Sequence, residues 1–300
     1  MFEKYEIEIL RFFRSISNDF SDFLMEAITF FGEQIVIVAI LAFFYFIYDK
    51  KIGKKFAYII FTSTNLNGVV KGLVARTRPF IYDPTLDSAR IETATGYSFP
   101  SGHTQNSFTV YFSIAHQFKK KYIWFICVVI SILIALSRII LGVHYPTDVI
   151  AGAFFGLLSA FGASYIHDRF AKTYKSELLV YLCTFACFIP FNFIFFREKF
   201  TDIEIYKDFY KAFAMFAGFM FAFIIDEKYI NFDNNVPLKT KLFRLLGAGI
   251  SYLLINFGLK LILPSDNIFS VIFRYFLITF VTLGLYPLIF KNLLFKKKAN

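Results

Sequence analysis

Apolar stretches of about 20 residues recur along the whole chain, and short charged runs separate them. They lie near residues 28 to 48, 56 to 75, 103 to 118, 122 to 142, 147 to 166, 178 to 196, 208 to 225, 243 to 263 and 268 to 290. At about 1.5 Å of rise per residue, most are long enough to cross a hydrocarbon core of about 30 Å as an α-helix. Short alternating runs bounded by Asn-Gly type turns, which would mark strands, are missing. The pattern predicts an all-α, polytopic membrane helix bundle of nine transmembrane helices. Residues 1 to 22 are different, because Glu3, Glu6, Glu8, Arg11, Arg14 and Asp19 alternate with apolar positions at helical spacing. That stretch predicts an N-terminal amphipathic interfacial helix, not a tenth span.

Composition agrees with a bilayer as the solvent. With 57% of residues hydrophobic, 44 Phe among 300 and only 18% charged, the chain has too little polar surface to coat a soluble globule. The formal charge of +10 changes the picture only in its distribution. The basic residues form clusters between spans: Lys50, Lys51, Lys54 and Lys55, then Lys119 to Lys121, then Arg169, Lys172 and Lys175, then Lys239, Lys241 and Arg244, and finally Lys296 to Lys298. No single basic stripe runs along the chain, so nucleic acid is not an expected partner. The alternation reads as topology, with the basic loops cytoplasmic and the N-terminus outside. The loops at 79 to 102, 143 to 146, 197 to 207 and 264 to 267 then face outward. Cys127, Cys183 and Cys187 fall inside apolar runs, without metal-ligand spacing or a disulfide framework. No cleavable signal peptide is expected, since the first apolar run follows a charged stretch and lacks a small-residue cleavage site.

Three polar clusters interrupt the apolar pattern at the outer ends of spans two, three and four. The first runs from Lys71 to Arg78-Pro79. A seven-residue separation places Lys71 and Arg78 on nearly one helical face, with Pro79 ending the helix and Thr64 and Asn67 extending the face inward. The second is Pro100-Ser101-Gly102-His103-Thr104, where Ser101 is typed as an N-cap. Free amides and the positive end of a helix there favour a bound phosphate, Gly102 allows close backbone approach, and His103 can protonate a leaving oxygen. The third holds Ser137-Arg138, Gly142, His144, Pro146 and Asp148. Pro146 fits the first position of a helix, which leaves His144 just outside and Asp148 in the first turn. From there the carboxylate can fix the tautomer of His144 and leave its other nitrogen free to attack, while the planar fork of Arg138 matches phosphate oxygens.

Together these clusters resemble the three signature motifs of the phosphatidic acid phosphatase type 2 superfamily: Lys-x6-Arg-Pro, Pro-Ser-Gly-His and Ser-Arg-x5-His-x3-Asp. The resemblance covers roughly residues 56 to 166 and every motif residue is present. It implies a membrane lipid phosphatase in which His144 forms a phosphohistidine, Asp148 orients it and His103 serves as general acid, then as base for water. It also implies that Lys71, Arg78, Ser101, Gly102 and Arg138 hold the phosphoryl oxygens, and that no metal or other cofactor is needed. The chain accordingly divides into the amphipathic helix at 1–22, a catalytic helical core at 23–175 and an extension of four spans at 176–300.

The substrate stays open at this level. Undecaprenyl diphosphate, phosphatidylglycerol phosphate and phosphatidic acid all fit a lipid phosphatase acting on the outside of a bacterial plasma membrane. Transfer of the phosphoryl group to a lipid or sugar acceptor fits the same residues. Nine spans with an external N-terminus also resemble glucose-6-phosphatase, and Lys297-Lys298-Ala-Asn matches a dilysine pattern. A lipid transporter is the non-enzyme alternative, although the last four spans lack a pair of broken helices. Vanadium-dependent haloperoxidases share the anion pocket, but the spans argue against them. His116 and His167 read as histidines satisfied by backbone carbonyls at cytoplasmic ends. Asn192, Asn256, Lys260 and Arg274 read as helix-to-helix contacts or snorkelling groups more readily than as the lining of a substrate route.

Overall fold

The computed structural model describes residues 2–198, 203–264 and 267–296. Among them every regular element is helical: α1 Phe2–Ile16, α2 Asp19–Phe30, α3 Gln34–Ala42, α4 Lys50–Val74, α5 Pro79–Tyr82, α6 Gly102–Phe118, α7 Lys121–Ile140, α8 Pro146–Leu158, α9 Ser164–Phe170, α10 Tyr174–Glu198, α11 Ile203–Ile225, α12 Leu238–Ile262, α13 Ile268–Phe280 and α14 Tyr286–Ile289. Wider π-type turns at Phe43–Tyr48, Ser159–Ala163, Asp226–Ile230 and Val281–Leu285 continue or join neighbouring helices. The all-α expectation holds among the described residues.

Among the described residues seven helices, counting continuous runs, are long and apolar enough to cross a bilayer: Asp19–Tyr48, Lys121–Ile140, Pro146–Phe170, Tyr174–Phe196, Tyr206–Ile230, Leu238–Ile262 and Ile268–Ile289. The other two of the nine expected spans fall on α4 and α6. α4 carries Lys50, Lys51, Lys54, Lys55 and Lys71 along its 25 residues. α6 is 17 residues long and buries Thr104, Gln105, Ser107, Thr109 and Ser113. Helices that turn polar groups toward protein need less hydropathy than helices that face lipid, and these two carry the motif residues Lys71, Gly102 and His103. The first 22 residues hold α1 and the start of α2, because Asn18 caps a new helix through Ser21. Lys297 and Lys298, expected on the cytoplasmic side, lie outside the described residues.

By contacts the chain forms two compact units, Met1–Ile37 with Leu66–Ser164, and Val38–Asn65 with Tyr165–Asn300. In the first unit, α6 packs against both α7 and α8. Two glycines on α8 set how close α8 comes: a Cβ on Gly152 would lie 2.7 Å from the Ser101 carbonyl oxygen, and one on Gly156 2.7 Å from that of Gln105. Small residues one turn apart let two backbones approach to contact. The start of α8 is thereby held against the start of α6, and the Ser101 amide donates to the Asp148 carbonyl at 2.9 Å.

The second unit is fastened by charge at one end. Lys54 bridges Glu177 at 3.3 Å and Glu227 at 2.7 Å, and Lys50 pairs with the buried Asp226 at 2.9 Å. Buried charges survive only when paired, and these pairs allow Lys50 and Lys54 to be buried while Lys51 stays exposed.

Candidate active site

All eight singled-out residues lie in the first unit. Lys71 is in the last turn of α4, which ends at Val74. The expectation that Lys71 and Arg78 share one helical face is therefore corrected. Ala75 takes a left-handed conformation at φ +52° and its amide closes on the Lys71 carbonyl at 3.0 Å, ending the helix four residues before Arg78. Arg78 is extended, as the residue before a proline must be, and Pro79 opens the short α5. The two cations are instead gathered by the loop that follows. Lys71 Nζ donates to the Tyr97 carbonyl at 2.9 Å, and Arg78 donates from Nε to Gly96 at 3.0 Å, from Nη2 to Thr95 and from Nη1 to Val143 at 3.3 Å.

Ser101 is at the N-cap position of α6, but its hydroxyl does not cap the helix; it accepts from the Thr104 hydroxyl at 3.0 Å. Its amide is committed to Asp148. The first-turn amides of Gly102 and His103 have no carbonyl within their own helix to bond. A Cβ on Gly102 would meet nothing closer than Asn67 Oδ1 at 3.6 Å, so packing within the protein does not require glycine there. Asn67, expected to extend the polar face inward, donates to Gln105 Oε1 at 2.8 Å, whereas Thr64 bonds back to the Ile60 carbonyl of its own helix.

Pro146 begins α8, as expected, and Asp148 lies in its first turn. One carboxylate oxygen, Oδ2, accepts from the Tyr145 amide at 3.0 Å and from the Ser98 hydroxyl, and lies 3.4 Å from Nδ1 of His144. The other ring nitrogen of His144, Nε2, is 3.0 Å from Arg78 Nη1. A guanidinium has only donors, so Nε2 is the accepting nitrogen and the proton sits on Nδ1, facing Asp148. Burial first, then the positive charges of Arg78, Arg138 and Lys71, hold the imidazole well below the usual histidine range, so it stays neutral.

Arg138 and His103 complete the cluster. Arg138 is fully buried and donates from Nη1 to the Thr29 hydroxyl at 2.9 Å, while its Nε and Nη2 are buried without a partner among the described residues. Nε2 of His103 is likewise buried and unpartnered, in the field of Arg138, His144, Lys71 and Arg78. Leaving a buried donor unsatisfied costs about 1–3 kcal/mol. Two such guanidinium nitrogens and an unpartnered imidazole nitrogen, beside the cations Lys71, Arg78 and Arg138, make a cluster suited to an anion. Among the described residues no group of three or more His, Cys, Asp or Glu side chains is placed to share a metal ion.

The remaining polar candidates lie elsewhere. His116 packs edge-on against Phe161 at 5.7 Å. His167 is partnered by side chains, not by a carbonyl as expected: Nε2 is 3.5 Å from both Glu177 Oε1 and the Tyr181 hydroxyl. Asn192 bonds the Phe188 carbonyl of its own helix, and Arg274 is buried beside Tyr275. Asn256 and Lys260 belong, like these two, to the second unit. Sequence reasoning passed over Arg76, which pairs with Asp148 at 2.8 Å, and Glu6, which pairs in turn with Arg76. Arg76 stood inside the first cluster, and its charge between Lys71 and Arg78 was the available signal; Glu6 gave none beyond its place on an amphipathic helix.

Comparison with known proteins shows what the chain is similar to. The PAP2 superfamily profile matches residues 52–172, and that of the PAP2 superfamily phosphatase transmembrane extension matches residues 210–298. The chain is 33% identical over 151 residues to phosphatidylglycerophosphatase B of Bacillus subtilis, covering 46% of this chain and 71% of that protein. It is 31% identical over 188 residues to the bacitracin transport permease protein BcrC of Bacillus licheniformis, covering 59% and 91%. Similarity to an undecaprenyl-diphosphatase of Sulfolobus acidocaldarius is 30% over 135 residues, covering 44% and 64%. Among solved structures, a transmembrane PAP2 type phosphatidylglycerolphosphate phosphatase from Bacillus subtilis aligns at TM-score 0.47 and 28% identity, over 56% of this chain and 87% of that one.

Proposed function

Because the chain belongs to the PAP2 superfamily and is a membrane phosphatase of that type, we propose that it removes a phosphoryl group from a lipid on the extracytoplasmic face, through a phosphohistidine at His144. The observation that carries this reading is the pair of contacts on one imidazole: Asp148 at Nδ1 and Arg78 at Nε2. They leave Nε2 with its lone pair directed at a buried cluster of cations. In the first step Nε2 attacks phosphorus and the bond to the lipid oxygen breaks, with His103 giving its proton to that oxygen. In the second step water attacks the phosphohistidine, His103 takes its proton, and phosphate leaves. Asp148 stabilises the positive charge that His144 acquires. Lys71, Arg78, Arg138 and the amides at the start of α6 stabilise the charge spread over the transferring oxygens.

Sidedness is supported by the first unit. The basic turn at Lys119 to Lys121 joins the end of α6 to the start of α7. The catalytic groups lie at the opposite ends of both helices, about 25 Å away for a 17-residue helix. If the basic turn is cytoplasmic, the pocket opens on the other side. A bacterial plasma membrane fits, as do the lipid substrates named for the relatives. The test is release of phosphate by purified protein against undecaprenyl diphosphate, phosphatidylglycerol phosphate, phosphatidic acid and glucose 6-phosphate. A lipid should turn over fastest, and His144→Ala should abolish turnover. Preference for glucose 6-phosphate, or dephosphorylated product without free phosphate, would replace lipid hydrolysis with a sugar phosphatase or a phosphotransferase.

A further inference from the structure

We propose that Arg76 and Glu6 are positioning residues for the nucleophile, so that the N-terminal helix α1 forms part of the active site. The proposal rests on the reading of His144 and Asp148 given above. Asp148 is completely buried, and its two oxygens do different work. Oδ2 takes the Tyr145 amide, the Ser98 hydroxyl and Nδ1 of His144. Oδ1 takes Arg76 Nη1 at 2.8 Å. A carboxylate in such a place needs a countercharge to stay ionised and a second anchored oxygen to stay in plane with its histidine. Arg76 supplies both.

Arg76 is fixed in turn from two sides. Its guanidinium lies over the Tyr145 ring, 3.8 Å from the centroid, and Nη1 also donates to the Thr147 hydroxyl at 2.7 Å. Its Nη2 donates to Glu6 Oε2, which is buried although it sits on an amphipathic helix. The other oxygen of Glu6 accepts from the Thr147 amide at 2.8 Å and from its hydroxyl at 2.7 Å. Glu6 thus bonds at once to the arginine that holds Asp148 and to the helical turn in which Asp148 sits. α1 is seated for this by Ile7 and Leu10, which pack with Leu86 and Tyr145. Neither Arg76 nor Glu6 is placed to touch the phosphoryl group; both act through Asp148.

The experiment is steady-state kinetics of the full chain, on whichever lipid of the panel turns over fastest, for Arg76→Gln, Arg76→Lys, Glu6→Gln and His144→Ala. Loss of one charge-assisted hydrogen bond on the orienting carboxylate should lower kcat about 10- to 100-fold in Arg76→Gln, with KM unchanged. Arg76→Lys keeps the countercharge and should recover part of that loss. Glu6→Gln should give a smaller fall of the same kind, in kcat alone. A purely structural role would lower the melting temperature and raise KM together with the fall in kcat, and Lys would not rescue it. That pattern, or wild-type kcat in Arg76→Gln while His144→Ala is inactive, overturns the proposal and leaves the phosphatase reading standing. Turnover retained by His144→Ala removes the reading itself, and the positioning role with it.

Discussion

Replacing Gly152 with alanine should damage catalysis more than folding. The added Cβ would sit 2.7 Å from the Ser101 carbonyl oxygen, 3.1 Å from Thr104 Cβ and 3.3 Å from the Gln105 amide nitrogen. Backbone atoms of α6 cannot swing away as a side-chain tip can. Restoring an ordinary carbon-to-oxygen contact of about 3.4 Å requires α8 and α6 to part by about 0.7 Å, at an overpacking cost of about 1–3 kcal/mol. The same displacement moves Asp148 and His144, at the start of α8, away from His103, at the start of α6. A misplacement of about 1 Å between reacting groups is worth about a hundredfold in rate, so a loss of about tenfold or more in kcat is expected. The assay is phosphate release together with a thermal melt in detergent. Gly249→Ala on α12 is the control, because nothing lies within 4 Å of its added Cβ; it should keep activity and gain up to about 1 kcal/mol. Wild-type kcat in Gly152→Ala would refute the idea that the approach of these two helices sets the geometry of the pocket.

Three further outcomes follow from the pocket. His103→Ala should slow release from an alkyl phosphate about 10²- to 10⁴-fold and release from p-nitrophenyl phosphate far less, since the nitrophenolate needs no proton; equal slowing of both would count against its acid role. Because burial and the neighbouring cations hold His144 well below the usual histidine range, the free enzyme keeps its nucleophile neutral as pH falls through about 6.5. The acid limb of kcat/KM that belongs to His144, after correction for ionisation of the substrate, should therefore lie below that value, and a limb at or above it would contradict the assignment. Gly102→Ala should fold normally, its nearest neighbour being Asn67 Oδ1 at 3.6 Å, yet lose affinity for inorganic phosphate as an inhibitor; unchanged inhibition would move the anion away from the start of α6.

What could be read from the chain was governed by local rules. Pro146 at the start of a helix, Asp148 four residues after His144 and Arg78 extended before Pro79 are each fixed by two or three neighbouring residues, and each is found as expected. The helix end at Ala75 was missed because an alanine in a left-handed cap carries no signal comparable to glycine. Hydropathy gave α4 and α6 as spans like the rest, although they are the two most polar and are not among the seven that meet the length and hydropathy of a span. Their polar residues are repaid by partners that only the folded unit supplies, such as Gln105 for Asn67. The bond from Glu6 to Thr147 joins positions 141 apart, which no periodicity can encode.

The contact between Arg78 Nη1 and His144 Nε2 bears on selectivity of a kind distinct from fit. A buried imidazole with an idle lone pair would be open to any small electrophile that diffused into the pocket. Here the lone pair is already engaged by a guanidinium, and only a reagent that offers that guanidinium something better can release it. A phosphate dianion does so, because its oxygens attract the cation more strongly than a neutral nitrogen does; an uncharged acylating or alkylating agent does not. On the proposed mechanism, His144 is thus masked by default and unmasked by the charge of the group it is to attack.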